Sequence, residues 1–114
     1  PAAADLFGWG VIYGLHARTC IQRARVWQAE HYIGAVRDHA LSLACLRRGI
    51  VAVQARGYDD LPPDVLALFE HTHIGSLDPN QLRRALALGT RALLAEGREL
   101  PGAASIAQRI AELT

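Results

Sequence analysis

The sequence predicts an all-α protein, a helical bundle of about five helices in which two long N-terminal helices precede shorter C-terminal ones. Three observations lead to this prediction. Alanine and leucine, which both suit helices, dominate a chain of which 51% is hydrophobic and only 6% is aromatic. Apolar residues recur at the spacing of a helix rather than alternating as they do in a strand. Proline, aspartate and glycine stand where those periodic segments begin and end.

Length and composition predict a single domain, residues 1–114, in a reducing, cytoplasmic setting. A length of 114 residues is close to that of a typical domain. Twelve basic residues, all of them arginine, are nearly balanced by eleven acids, and a net charge of +1 argues against a dedicated nucleic-acid binder. Cys20 and Cys45 both lie in helical patterns, which favours buried free thiols. The longest apolar run, residues 6–15, is too short for a membrane span, which needs about 20 residues.

The first helix is predicted over residues 2–25. Asp5 lies in its first turn, where the helix dipole favours a negative charge. The stretch 6–17 is apolar nearly all round, so we expect this helix to be buried. Gly10 and Gly14, four residues apart, permit close contact with another helix. That contact would serve either a homodimer or packing against a further domain of the same chain.

The second helix is predicted over residues 26–48 and is the most informative segment. At 100° per residue its apolar residues form a continuous stripe on one face: Val26, Ala29, Ile33, Val36, Ala40, Leu43 and Ala44. Gly49 directly follows two arginines, a sequence typical of the end of a helix. The stripe therefore predicts a side that faces the core, and the residues opposite it are left for solvent or a ligand.

A connector and a short helix are predicted next. Residues 50–63 contain one glycine, two aspartates and a proline pair, which are typical of turns, with a short helical turn allowed at 51–55. A short helix is predicted over 64–71, because the prolines before it favour a helix start.

The last part of the chain predicts two further helices. Asp78 is expected to be the N-cap of a helix with Pro79 at its first position. The apolar spacing carries this helix to Glu96, and Gly97 is expected to end it. The final helix is predicted over residues 103–113.

Four side chains on the outward side of the second helix form the predicted site: Trp27, Glu30, Arg37 and Asp38. At 3.6 residues per turn, most of this set falls within about 80° of arc, together with Gly34. The tryptophan offers a flat apolar platform, the carboxylate can accept a proton or bind a cation, and Gly34 leaves room for a ligand. Such a combination is typical of one edge of a binding cleft. The alternative is that Trp27 packs against a neighbouring helix while Glu30 and Arg37 are solvated or paired.

Two other sets of residues suggest different chemistry. Glu70, His71 and His73 are metal-ligand types, but rings at i and i+2 point the same way only in a strand and diverge on a helix. No metal site is therefore predicted. Arg25 and His31 match the Arg-x4-6-His pattern of HEPN-type ribonucleases, which are also helical bundles.

One long segment resembles a known family. Residues 25–40 read Arg-Val-Trp-Gln-Ala-Glu-His-Tyr-Ile-Gly-Ala-Val-Arg-Asp-His-Ala, and residues 46–49 read Leu-Arg-Arg-Gly. Together they resemble the helical C-terminal domain of bacterial nucleotidyltransferases, most closely the aminoglycoside-type members. Gly-Tyr-Asp-Asp-Leu-Pro-Pro at 57–63 and Ser-Leu-Asp at 76–78 fit the same pattern. The resemblance covers about residues 6–97.

The resemblance implies the C-terminal, acceptor-binding part of a longer enzyme. Such enzymes transfer a nucleoside monophosphate from a nucleoside triphosphate to a hydroxyl of a small molecule, for example an aminoglycoside-like antibiotic. An N-terminal α/β domain binds the nucleotide and Mg²⁺ through paired Gly-Ser and Asp-x-Asp motifs, and this pair does not occur in the chain. No cofactor is therefore expected in this segment itself.

The resemblance also implies roles for the residues of the predicted site. Several antibiotic-modifying members use a glutamate of the helical domain to accept the proton of the acceptor hydroxyl, and by position this would be Glu30. Trp27 and Asp38 would line the acceptor pocket. Arg37 would orient Glu30 or contact a phosphate. Two alternatives stay open, namely a free-standing helical interaction module and a HEPN-like ribonuclease or toxin component.

Overall fold

The computed structural model describes the backbone of residues 2–113 and the side chains of residues 2–112, so the first and last residues of the predicted domain lie outside the described part. The described chain is all-α, as predicted, and contains no strand. Its helices are α1 Ala3–Gln22, α2 Val26–Arg47, α3 Pro63–Ala67, α4 Pro79–Glu96 and α5 Ala103–Leu113. Single 3₁₀ turns occupy Val53–Ala55, Tyr58–Asp60 and Glu70–Thr72.

A tight turn joins the two long helices. Ala24 adopts a left-handed conformation at φ 59°, which is uncommon for residues other than glycine. The backbone N–H of Arg25 donates to the carbonyl oxygen of Cys20 at 2.8 Å and closes the reversal. The carbonyl oxygen of Arg25 then accepts from the N–H of Ala29. α2 consequently begins at Val26, the predicted residue.

The core lies between α1, α2 and α4. The predicted apolar stripe of α2 is buried along its length, and only its first residue, Val26, is half-buried. Near the α1–α2 turn the core consists of Ala17, Cys20, Ile21, Ala29, Ile33, Leu82 and Ala85. Toward the opposite end it includes Phe7, Leu41, Leu43, Cys45, Leu61, Phe69 and Leu93. Both cysteines are buried free thiols, as predicted.

α4 begins and ends at the predicted residues. Asp78 is its N-cap, and the carboxylate accepts a hydrogen bond at 3.1 Å from the backbone N–H three residues later. Pro79 is its first residue and Glu96 its last. Gly97 has φ −94°, a conformation open to any residue. A Cβ at Gly97 would overlap the ring of Phe7, so glycine is needed there because α1 packs against the end of α4.

The helix predicted over residues 64–71 is shorter than expected. α3 ends at Ala67, and the chain continues into the 3₁₀ turn at Glu70–Thr72. A helix of five residues gains little from its own hydrogen bonds, so tertiary packing sets the path of the segment. The buried side chains of Phe69 and Thr72 provide that packing. The turn allowed at 51–55 is present as the 3₁₀ turn Val53–Ala55.

α1 is less buried than predicted. Its inner face packs on α2 and α4, but Trp9, Ile12 and Leu15 are 53%, 40% and 41% exposed. The prediction of burial all round was wrong because these two neighbours cover only part of a helix that is apolar nearly all round. No helix in the described part of the chain combines the length and the apolar character needed to cross a lipid bilayer.

A buried carboxylate ties the end of α2 to the end of α4. The Glu96 side chain is only 6% exposed, and its Oε1 accepts from the Nη1 atoms of Arg47 and Arg48, each at 2.9 Å. Arg48 Nη1 also donates to the carbonyl oxygen of Ala44. Both arginine side chains keep partial access to water, which screens the pairs. The two hydrogen bonds satisfy a carboxylate that would otherwise be costly to bury.

Replacing Glu96 by alanine should lower the free energy of unfolding by about 2 kcal/mol, because two charge-assisted hydrogen bonds are lost while the arginines can turn to water. Urea denaturation followed by circular dichroism measures this change. The matched control is Glu99→Ala, at an exposed position three residues later, for which we expect a change within about 0.5 kcal/mol. Equal effects of the two substitutions would contradict the role assigned to Glu96.

Candidate functional site

Trp27 lies in the first turn of α2 and points away from the core. Its side chain is 74% exposed, more than any other large apolar side chain in the described chain. The alternative in which Trp27 packs against a neighbouring helix therefore does not hold within the described residues. An indole carried on a helix whose opposite face is packed in the core is an accessible platform.

Glu30 lies three residues after Trp27 and about 60° around the helix from it. Its side chain is half-buried, because it lies at the edge of the buried stripe rather than opposite it. Among the described residues no arginine forms a salt bridge with Glu30. The carboxylate is thus held close to the helix surface while its oxygens remain available to a ligand.

Arg37 is anchored away from Glu30. Its Nη1 donates to the carbonyl oxygen of Thr72 at 3.1 Å. Thr72 is itself buried, and its hydroxyl donates to the carbonyl oxygen of Phe69 at 2.6 Å. The Nη2 of Arg37 lies 3.4 Å from the position of a Cβ added at Gly34, so the guanidinium borders the space predicted above this glycine. Arg37 keeps further N–H donors that can bind an anion.

Asp38 is exposed, and a tyrosine from the connector fixes its backbone. The hydroxyl of Tyr58 donates to the carbonyl oxygen of Asp38 at 3.1 Å. The hydroxyl of Ser42 lies 3.0 Å from that of Tyr58, and because Tyr58 has given its only proton to Asp38, Ser42 is the donor. The Asp38 carboxylate projects into solvent from the same outward side of α2 as Trp27.

Six aromatic rings, which we call the aromatic array, form a continuous set of ring contacts between α1 and α2. Its stacked pairs are Trp9–Tyr13, Tyr13–Tyr32 and His16–Tyr32, with ring centroids 5.8, 5.9 and 5.1 Å apart. Its edge-on pairs are Tyr13–His39 and His31–Tyr32. His31 follows Trp27 by four residues, so the array continues toward the predicted site.

Sequence reasoning missed the aromatic array. The signal was the spacing of Trp9, Tyr13 and His16, which places three rings on one side of α1. That spacing alone does not say which rings of α2 they meet, because the answer depends on how the two helices are rotated against each other.

A cavity of about 570 Å³ lies elsewhere, between α1, α4 and α5. Most of its lining is small and apolar, and its described charged residues are three arginines: Arg18, Arg83 and Arg91. A second cavity, of about 310 Å³, lies at the α1–α2 turn beside the aromatic array. Neither cavity includes Trp27 or Glu30. The predicted site is therefore an open surface in this chain, which a second domain would have to cover to form a cleft.

The residues weighed for other chemistry are not assembled into a site. In the part of the chain that the structure describes, no group of three or more histidine, cysteine, aspartate or glutamate side chains could hold a metal ion. His71 and His73 are both exposed. Arg25 and His31 are exposed as well, and they point to different sides of α2 because six residues correspond to about 120° of rotation.

Comparison with known proteins does not identify a relative: no protein-family model, curated protein or solved structure matches this chain. The residues of α2 and their surroundings therefore carry the functional assignment.

Tyr58 should make the stability of the fold fall at high pH. Burial raises the pKa of its hydroxyl above the ordinary value of 10.0, and the hydrogen bond from Ser42 opposes this with a smaller effect. The folded state therefore holds this proton more tightly than the unfolded state does. The resulting stabilisation is complete below about pH 10 and is lost as the pH rises through the raised pKa.

Tyr58→Phe tests this assignment. The variant should lose about 1 kcal/mol of unfolding free energy at neutral pH. It should also lose less stability than the wild type between pH 9 and 11, measured by urea denaturation. Tyr13→Phe is the control. Burial also raises the pKa of Cys45, and its contribution to the pH dependence is the same in the wild type and both variants. The same pH dependence in the wild type and Tyr58→Phe would show that Tyr58 is not responsible.

Proposed function

We propose that this chain is the acceptor-binding helical domain of a nucleotidyltransferase, which transfers a nucleoside monophosphate from a nucleoside triphosphate to a hydroxyl of a small molecule such as an aminoglycoside-like antibiotic. The observation that carries the proposal is the pairing of the exposed Trp27 with the half-buried Glu30 on the outward side of a helix whose other side is core. An indole face and a carboxylate suit a ligand that combines ring faces with hydroxyl and ammonium groups. The resemblance of residues 6–97 to such domains supports the same class.

In this proposal Glu30 is the base. Its carboxylate accepts the proton of the acceptor hydroxyl while the hydroxyl oxygen attacks the α-phosphorus of the nucleotide. The bond from the α-phosphorus to the bridging oxygen breaks, and pyrophosphate leaves with the electron pair. Phosphoryl-type transfer depends mainly on positioning and charge stabilisation, and a carboxylate within reach of the hydroxyl supplies both orientation and proton removal. The half-buried location of Glu30 restricts its conformations and so favours positioning.

The neighbouring residues bind the acceptor or the nucleotide. Trp27 provides a stacking face for an acceptor ring or a cation–π contact for an ammonium group. The exposed carboxylate of Asp38 pairs with an ammonium group of the acceptor. Arg37, anchored by Nη1 on the Thr72 carbonyl, directs its remaining donors to a phosphate oxygen. Because no salt bridge joins Arg37 to Glu30 among the described residues, phosphate contact is the role that the geometry favours.

The nucleotide and Mg²⁺ require a partner domain. Among the described residues of this chain no group of three or more metal-ligand side chains is assembled, and we assign these residues no step through Mg²⁺. An α/β domain covering the outward side of α2 would supply the nucleotide site and close the open surface into a cleft. A nucleotide-binding α/β domain is therefore the partner that the proposed function requires.

A helical interaction module is the second candidate. The observation in its favour is the uncovered apolar face of α1, where Trp9, Ile12 and Leu15 are exposed. This candidate requires a protein partner and no small-molecule ligand at α2, so a ligand-binding measurement separates it from the first.

Acceptor binding can be followed through Trp27 itself. The chain has two tryptophans, so Trp9→Phe leaves Trp27 as the sole indole. Titration of this variant with an aminoglycoside such as kanamycin should change the tryptophan emission. Adding Asp38→Asn should weaken binding about tenfold, since one ammonium–carboxylate contact is lost, whereas Asp64→Asn on α3 should not. An unchanged emission across the titration would contradict acceptor binding at this surface.

Catalysis by Glu30 is tested by Glu30→Gln in the complete enzyme, which includes the nucleotide-binding domain. We expect kcat for pyrophosphate release to fall by about 10²–10⁴-fold, because the amide cannot accept the proton, while nucleotide binding is unchanged. Glu70→Gln, at an exposed glutamate outside α2, is the matched control and should retain full activity. Wild-type turnover in Glu30→Gln would remove this residue from the mechanism.

A further inference from the structure

On its outer face α1 has a row of residues at coiled-coil spacing, of which Ile12 and Leu15 are large, apolar and exposed. Alternating steps of four and three residues define this face, which we call the α1 seam: Asp5, Gly8, Ile12, Leu15, Thr19 and Gln22. Such spacing is that of the contact line between two helices of a coiled coil. Ile12 and Leu15 at its centre are exposed, and a Cβ added at Gly8 would meet nothing within 4 Å.

We infer that two copies of this chain associate through the α1 seam as an antiparallel pair, about a two-fold axis that passes between residues 13 and 14. Residues whose numbers add up to 27 then face each other, so Ile12 contacts the partner's Leu15 and Gly8 contacts the partner's Thr19. The large side chains meet at the centre, and the small ones let the helices approach closely at both ends. Thr19 adds no unsatisfied donor, because its hydroxyl already bonds to the Leu15 carbonyl at 3.1 Å.

Charge selects the antiparallel orientation. Asp5 and Arg23 lie 18 residues apart, which is five full turns, so they project from the same side of α1 at its two ends. In the antiparallel pair each Asp5 lies beside the partner's Arg23, and symmetry makes this contact twice. A parallel pair would instead place like charges together. Both residues are exposed, and neither forms a salt bridge within the described chain.

The exposed Trp9 strengthens the case for a second copy. It flanks the α1 seam and, in the antiparallel pair, lies about 3 Å along the axis from the partner's His16. Trp9, Ile12 and Leu15 form an exposed apolar patch of the kind that marks an interaction surface. The same two-fold axis pairs the apolar patch, the small residues and the end charges of one copy with complementary residues of the other. Contact with an unrelated domain would not require this symmetry. The inference does not depend on the proposed function.

Sedimentation equilibrium of the 114-residue chain under reducing conditions tests the inference. The wild type should approach twice its monomer mass of 12.4 kDa as concentration rises. Ile12→Asp should raise the dimer Kd by about thirtyfold or more, as expected for a central contact. Gly8→Leu should do the same by holding the helices apart, and the open space at Gly8 keeps the fold intact. Val53→Asp, at a position 65% exposed in the connector, should leave the Kd unchanged.

Reversing the end charges tests the orientation. Asp5→Arg should raise the Kd, and combining it with Arg23→Asp should return the Kd toward the wild-type value, because the pair is restored with opposite sign. A wild-type chain that stays monomeric, or a dimer indifferent to Gly8→Leu, would overturn the α1 seam as the interface. A dimer that Asp5→Arg weakens and the double variant fails to restore would overturn the antiparallel arrangement.

Discussion

The burial of one face of α2 is the constraint on which the rest of the structure depends. α1 packs against one flank of this helix and α4 against the other, so its rotation about its own axis is determined by its apolar stripe. Turning the helix by one residue would expose side chains such as Ile33, whose burial contributes about 2 kcal/mol or more, and would bury polar groups in their place. The outward direction of Trp27 and Asp38 is therefore a consequence of core packing.

Two polar contacts then attach the rest of the chain to the flanks of α2. Tyr58 brings the connector to the Asp38 backbone, and Thr72 brings the turn after α3 to Arg37. Both contacts end on backbone carbonyls. The Tyr58 contact does not use the Asp38 carboxylate, and the Thr72 contact uses Nη1 of Arg37 and leaves its other N–H donors for a ligand. A binding surface supported in this way keeps its geometry, since its residues stand on a packed helix rather than on a loop.

The parts of the fold that the sequence predicts well are those governed by local chemistry. The bounds of α2 and α4 follow from the apolar period and from the cap at Asp78, which act within a few residues of the chain. α3 and the exposure of α1 were predicted less well, because both depend on how many neighbours cover a segment. The aromatic array and the cavities lie between helices, and no spacing within one helix specifies the rotation of its neighbour. The outward position of Trp27 was predictable because the apolar period of α2 fixes which side faces the core. The anchoring of Arg37 on Thr72 was not predictable, because it joins segments 35 residues apart.

NMR mapping tests the proposal that the outward side of α2 binds the acceptor. A ¹⁵N-labelled chain titrated with an aminoglycoside reports the environment of every backbone amide and of both indole N–H groups. We expect the largest chemical-shift changes between residues 27 and 38, with the Trp27 indole N–H among them. Changes concentrated instead around Gly14, Ala87 and Ala107 would place the ligand in the cavity between α1, α4 and α5 and would rule out α2 as the acceptor surface.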